Sequence, residues 1–266
     1  VPYKLLTLQM LGYVSSSTFQ KLDLVDGDCT APNTEYWYKV VNRKPGEFSM
    51  EPDKKDDVVY TDEYLNYLIN TLGNSTSGGF NAYALDNEPG LWNGTHKLAH
   101  SEHVTCDELI EKSIDLAQVV KDMDGSAEVF GPSLYGYTAY QSLAGAPDWG
   151  RKQSAGNYRW FIDYYLDEMK KAEKSDGRRL LDVLDIHYYT EAKGECGQRF
   201  CSHYDRDGCV KARLDSVRSL FEEGFLENSW IADNGAEFFP LIQNIQQSID
   251  QYYPGTKLAF TEYNFG

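Results

Sequence analysis

The chain is short of several things, and each shortage removes a class of function. It has no run of about 18 apolar residues, so a membrane-spanning helix is not expected. The longest apolar candidate, Leu5 to Val14, is interrupted by Thr7, Gln9 and Gly12 and reads as a strand. Basic residues are scarce: 25 Lys and Arg stand against 41 Asp and Glu, a net charge of −16. Nucleic-acid phosphates call for clustered cations, so a nucleic-acid partner is not expected. No glycine-rich phosphate loop follows a strand, which argues against a nucleotide site. No repeat or low-complexity tract divides the 266 residues, a length that suits one large α/β domain or two small ones. An initiator Met and a basic-then-apolar leader are also lacking, so the sequence is expected to begin after processing or inside a longer polypeptide.

Aromatic side chains, by contrast, are plentiful, at 14% of residues with 20 Tyr and 5 Trp. Aromatic faces serve both as core filler and as platforms for sugar rings. Two sequons, Asn74-Ser75-Thr76 and Asn93-Gly94-Thr95, are compatible with glycosylation and with a secreted, extracellular protein. Five cysteines fit the same setting. Two of Cys196, Cys201 and Cys209 could close a small disulfide, and Cys29 could reach Cys106 if their loops meet. A zinc site from those three cysteines and His203 is the sharper alternative, but the spacings match none of the usual paired-ligand patterns.

Periodicity divides the chain into alternating elements. Lys4 to Leu11 reads as a buried strand, followed from Ser15 to Asp57 by a polar, proline-bearing loop over one end of the fold. Asp62 to Leu72 reads as a helix capped by Thr61, with Tyr64, Leu65, Tyr67, Leu68 and Leu72 on its apolar face. Phe80 to Leu85 is the next strand, then a helix over Cys106 to Met123 with a Thr105/Glu108 capping box. A strand over Glu128 to Gly131, a helix over Gly156 to Ala172 and a strand over Val183 to Tyr189 follow. Helices over Lys211 to Glu223 and Phe239 to Tyr252 precede a last strand, Leu258 to Tyr263. Strands alternating with helices of this length imply parallel βαβ units, in an α/β sheet or barrel.

Two carboxylates stand out against that frame. Glu88, in Asp86-Asn87-Glu88-Pro89, and Glu262, in Phe260-Thr261-Glu262-Tyr263, each end a strand. Barrel enzymes keep their chemistry at the C-terminal ends of strands. A pair delivered there is what glycoside hydrolysis needs, one to protonate the departing oxygen and one to meet the oxocarbenium charge. Asp182 and Asp185, at the start and middle of a strand, read as structural.

With Leu91-Trp92 and Thr95-His96 following the Asn-Glu-Pro triplet, the chain resembles glycoside hydrolase family 44, endoglucanases and xyloglucanases with a (β/α)8 TIM barrel. Further segments carry the likeness across nearly the whole chain: Leu6-Thr7-Leu8-Gln9-Met10, Phe130-Gly131-Pro132, Ala146-Pro147-Asp148-Trp149-Gly150, Tyr158-Arg159-Trp160-Phe161-Ile162-Asp163, Leu180-Leu181-Asp182-Val183 and Tyr253-Pro254-Gly255-Thr256-Lys257. The resemblance implies a retaining double displacement on internal β-1,4 bonds of cellulose-like β-glucan or xyloglucan, with Glu88 as acid/base and Glu262 as nucleophile. Glu88 would then need a less hydrated setting or a nearby negative charge to keep its proton, and Glu262 hydrogen bonds that keep it ionised. The resemblance also makes Asn87 the contact to the sugar 2-hydroxyl and places His187 and Tyr189 along the cleft. Trp92, Tyr135, Tyr137, Trp149, Tyr188 and Tyr189 form the pool for stacking on sugars, with Trp92 and Tyr137 foremost and Trp160 expected in the core. Catalysis of this kind requires no cofactor or catalytic metal, and a structural calcium ion is compatible with the resemblance.

By the family's pattern the chain opens on the third barrel strand and stops shortly after Glu262, at the seventh. Strands one, two and eight and the β-sandwich domain are absent, so residues 1–266 are expected to be part of a catalytic barrel whose remaining segments belong to the same longer polypeptide. A glycan on Asn93 would crowd the loop behind Glu88. The alternative function is a non-catalytic glycan-binding or structural extracellular protein on a hydrolase scaffold.

Overall fold

The computed structural model describes residues 2–15, 37–194 and 207–264. In chain order its strands and α-helices are β1 (Leu5–Leu8), β2 (Tyr13–Ser15), β3 (Trp37–Val41), β4 (Val58–Tyr60), α1 (Thr61–Leu72), β5 (Ala82–Leu85), α2 (Trp92–Thr95), α3 (Cys106–Met123), β6 (Glu128–Leu134), α4 (Tyr137–Ser142), α5 (Trp149–Gly156), α6 (Phe161–Asp176), β7 (Val183–Tyr189), α7 (Asp207–Ser216), α8 (Trp230–Gly235), α9 (Leu241–Tyr252) and β8 (Lys257–Asn264). Five strands form one sheet in the order β1-β5-β6-β7-β8, every neighbouring pair parallel. The α/β fold with a parallel sheet read from the alternation of elements is therefore present.

Strands covered on both faces should be apolar throughout, and β5 and β7 are buried almost end to end. Alternation assigns the faces. Tyr83, Leu85, Leu184, Ile186 and Tyr188 join the large core beneath the helices. Ala82, Ala84, Phe130 and Val183, with Leu5 and Ala259 packed against them, form a separate cluster on the other face. Helices α1, α3, α6 and α9 pack in succession along the first face. A buried carboxylate fastens α6 to α9: Asp163 accepts from the Arg159 N–H at 2.9 Å, the Trp160 indole N–H at 2.9 Å and the Ser248 hydroxyl at 2.5 Å.

Three expectations need correction. The polar stretch from Ser15 to Asp57 is not structureless, because β3 pairs antiparallel with β2 and parallel with β4 in a second sheet. The run Trp37-Tyr38-Lys39-Val40-Val41 is aromatic and β-branched, which suits a pleated surface and outweighs the prolines beyond it. Thr61 is the first residue of α1 rather than its cap, its hydroxyl donating to the Asn42 side chain, and Tyr64, Tyr67 and Leu72 lie exposed while Leu65 and Leu68 face α3. The helix expected over 156–172 begins later, at Phe161, and Gly156 instead ends the shorter α5. Asn157 closes α5 in the left-handed conformation at φ 53, and Trp160 becomes the N-cap of α6, buried and stacked on Phe238 with centroids 4.6 Å apart. Cys106–Met123 and Val183–Tyr189 fall where expected, and Thr105 Oγ accepts from the Glu108 N–H.

Burial raises the phenols of Tyr83, Tyr137 and Tyr158 to about 12. An unfolded chain releases these protons from about pH 10 while the folded chain keeps them, so stability falls as pH rises between about 10 and 12. Urea-unfolding midpoints should therefore drop through that window, with phenolate absorbance lagging in the folded protein; a flat midpoint would contradict the burial of these hydroxyls.

Candidate active site

The C-terminal ends of β5 and β6 carry unusual backbone. Asp86 at φ 62, Glu88 at φ 49 and Ser133 at φ 52 all occupy the left-handed region without being glycine. Each such residue costs about 1–3 kcal/mol and persists only where its surroundings hold it. Here the holding is specific. The Asp86 N–H donates to Leu8 O at 2.8 Å, and its buried carboxylate accepts the N–H of Met10, that of Asn87 at 2.7 Å and the Trp92 indole N–H at 3.3 Å. Burial raises the Asp86 carboxyl above its usual range, and those donors oppose the rise. The Glu88 N–H donates to Ser133 O at 3.0 Å, so one strained residue steadies another.

Glu262 reaches the same place by a different device. Side chains alternate between faces, and Asp185 pairs with Ala259 and Ile186 with Phe260, so an unbroken ladder would set Thr261 opposite His187 and turn Glu262 toward the helices. Instead His187 pairs with Glu262, leaving Thr261 as an extra, bulged residue. The bulge puts Glu262 on the face that His187 and Tyr189 occupy.

The carboxylates meet across the imidazole. His187 Nδ1 lies 2.7 Å from Glu88 Oε1 and 3.7 Å from Glu262 Oε2. One oxygen of each glutamate and a ring nitrogen of His187 lie within 4.8 Å of one another. The ring is buried, and its backbone carbonyl accepts the hydroxyl of buried Tyr140. Tyr189 donates its hydroxyl to Glu262 Oε2 at 2.8 Å, and chiefly through that bond its phenol is pushed up to about 12. Hydration differs across the pair: the Glu88 side chain is 22% exposed and that of Glu262 44%.

The structure brings together Glu88, Glu262, His187 and Tyr189, with exposed Asn87 beside Glu88 and half-buried Tyr135 bonded through its hydroxyl to Thr138. It does not bring the two foremost stacking residues into the cleft. Trp92 is 1% exposed, its indole N–H bound to Asp86 and its ring 5.4 Å from that of His100. Tyr137 is 8% exposed, packed edge-on against Trp230 and Phe238. Trp149 and Tyr188 are core residues as well. Tyr140 and Asp86, which fix His187 and the Glu88 turn, escaped the sequence reading; the left-handed turn before Pro89 has no unique residue signature.

Cys106 is a buried free thiol in the first turn of α3, raised by burial first and then by Asp148, and Cys29, its expected disulfide partner, lies outside the described residues. Cys209 is buried in α7, while Cys29, Cys196, Cys201 and His203 lie outside the described residues. Asn74 is exposed and Asn93 half-buried in α2. For a metal, the one group of three found among the described residues is Glu88, His187 and Glu262. Calcium takes six to eight oxygens, so this nitrogen-bearing trio does not fit it.

Comparison with known proteins follows the same lines. Residues 3–192 match glycoside hydrolase family 44. Endoglucanase A of Paenibacillus lautus is 50% identical over 268 residues, covering 99% of this chain and 37% of that protein. A family 44 endoglucanase structure from Clostridium thermocellum aligns with TM-score 0.90 at 46% identity, over 100% of this chain and 52% of that one. A Paenibacillus polymyxa family 44 xyloglucanase solved with xyloglucan aligns with TM-score 0.90 at 43% identity, over 99% and 50%. The chain thus spans about half the length of these solved relatives and less of the curated one.

Because Trp92 is core, Trp92→Ala should lower the unfolding free energy by about 3–5 kcal/mol in urea titrations. A change under about 1 kcal/mol would return Trp92 to the surface.

Proposed function

The chain belongs to glycoside hydrolase family 44, and we propose that its five parallel strands are strands three to seven of a (β/α)8 barrel carrying the catalytic pair of a retaining β-1,4-glucan hydrolase. The observation that carries this reading is the approach of Glu88 and Glu262 oxygens to within 4.8 Å across His187. Retaining enzymes hold their carboxyls about 5–5.5 Å apart, whereas inverting ones leave about 6.5–9.5 Å for a water. One oxygen of each carboxylate falling within 4.8 Å of the other supports the retaining arrangement.

In this reading a carboxylate oxygen of Glu262 attacks the anomeric carbon as Glu88 gives its proton to the departing glycosidic oxygen. A covalent glycosyl-enzyme results. Glu88, now ionised, takes a proton from water, whose oxygen attacks the same carbon and expels Glu262. His187 orients Glu88 through the 2.7 Å bond, and Tyr189 orients Glu262. Asn87, exposed beside Glu88, is placed to bond the sugar 2-hydroxyl, and Tyr135 stays in the stacking pool. The substrate is a polymer of β-1,4-linked glucose, plain or xyloglucan-like, consistent with the xyloglucan bound by the P. polymyxa relative. The sequons at Asn74 and Asn93 support an extracellular site of action.

Glu88→Gln should cut kcat/KM on soluble β-glucan by about 10²–10⁴-fold, and NMR of the first-formed product should show the β anomer. Release of the α anomer would overturn the retaining assignment, and undiminished turnover by Glu88→Gln would overturn the acid. Tyr189→Phe removes one hydrogen bond to a charged group, so a fall in kcat of about 10- to 100-fold is expected; an unchanged kcat in steady-state assays would remove Tyr189 from the site.

A further inference from the structure

Both ladders flanking β7 slip by one residue. On one side Pro132 pairs with Asp185 and Leu134 with Ile186, leaving Ser133 unpaired; on the other, Thr261 is the residue left over. Bulges of this kind re-aim side chains and commonly lie beside active sites. What distinguishes these two is that their hydroxyls converge. Ser133 Oγ donates to Asp185 Oδ2 at 2.7 Å, and Thr261 Oγ1 donates to Asp185 Oδ1 at 2.7 Å. Asp185 is 1% exposed on the strand between them, two positions before His187 and on the same face.

Each bulged residue is joined to one member of the proposed pair. Ser133 accepts the Glu88 N–H through its carbonyl, and Thr261 directly precedes Glu262. On the proposed reading of Glu88 and Glu262 as the reacting carboxylates, we propose that Asp185 is a positioning residue that sets their separation by holding the β6 and β8 bulges. Its role exceeds that of a buried strand polar group. One carboxylate uses both oxygens to tie two slipped strands to the strand that also carries His187 and Tyr189. Without it, the register slip that turns Glu262 into the cleft loses a side-chain anchor, and so does the carbonyl that holds Glu88. Burial is the largest influence on the Asp185 carboxyl and raises it, while the two hydroxyls pull it back toward the ionised form that can accept both bonds.

Asp182 supplies the internal control. It stands just before the start of β7, where its carboxylate accepts from Lys121 Nζ and the Val129 N–H at 2.8 Å each, so it also ties neighbouring elements together but at the far end of the strand. In steady-state assays on soluble β-glucan, well below the unfolding midpoints, Asp185→Asn should lower kcat by about 10- to 100-fold and leave KM within about twofold, because small misplacements of reacting groups are felt in the transition state. Asp182→Asn should lower the unfolding midpoint with kcat near wild type. Thr261→Val should reproduce part of the Asp185→Asn loss, and the double variant should be no worse than Asp185→Asn alone.

A wild-type kcat in Asp185→Asn, or losses that multiply fully in the double variant, would overturn the proposal. So would an equal kcat loss in Asp182→Asn, which would mark a general stability effect. Should Asp185→Asn fail to fold, Thr261→Val decides alone, and an undiminished kcat there sinks the idea. Absence of any turnover in the wild-type protein would instead count against the proposed function.

Discussion

Strand side chains alternate strictly between two faces, and in this protein that parity is the constraint around which the site is arranged. One face of the parallel sheet is committed to the helices through Leu184, Ile186 and Tyr188, so any group meant for the other face must fall on the right count. β7 keeps the count, presenting Asp185, His187 and Tyr189 in sequence. Its neighbours break the count once each, at Ser133 and Thr261. The irregularities are therefore what lets Leu134 remain in the core while Glu262 leaves it.

Strain concentrates at the same level of the sheet. Asp86, Glu88 and Ser133 are left-handed non-glycine residues gathered at the ends of two adjacent strands, held by hydrogen bonds from β1, from one another and from Trp92. Trp92 is thus better described as the wedge under the Glu88 turn than as a surface for ligand. A rigid support of this sort suits a group that must stay in place while a neighbour's charge changes.

Much of this was legible in the sequence where a single local rule decided the outcome. Thr105 followed by Glu108 marks the start of α3, and the Val, Leu, Ile and Tyr residues between 183 and 189 mark β7. Glu88 and Glu262 stand out because carboxylates rarely end apolar strands without a task. Legibility failed where the outcome depends on partners far away in the chain. Trp37 to Val41 becomes a strand only because Tyr13–Ser15 and Val58–Tyr60 are there to pair with it. Trp92 and Tyr137 look like loop aromatics until Asp86, Phe238 and Trp230 enclose them. Bulges are invisible for the same reason, since a register slip is a relation between two strands rather than a property of one. The clustered residues could be picked out by type, while the register slip that aims Glu262 could not.

The Tyr189 hydroxyl has an effect on Glu262 beyond holding it still. A free carboxylate has two equivalent oxygens that exchange by a half-turn about the terminal bond. With Tyr189 donating to Oε2 and His187 facing that same atom, the two oxygens of Glu262 are no longer interchangeable. Electron density is drawn toward Oε2, and Oε1 is left as the distinct oxygen of the pair. The side chain is thereby desymmetrised in the resting protein.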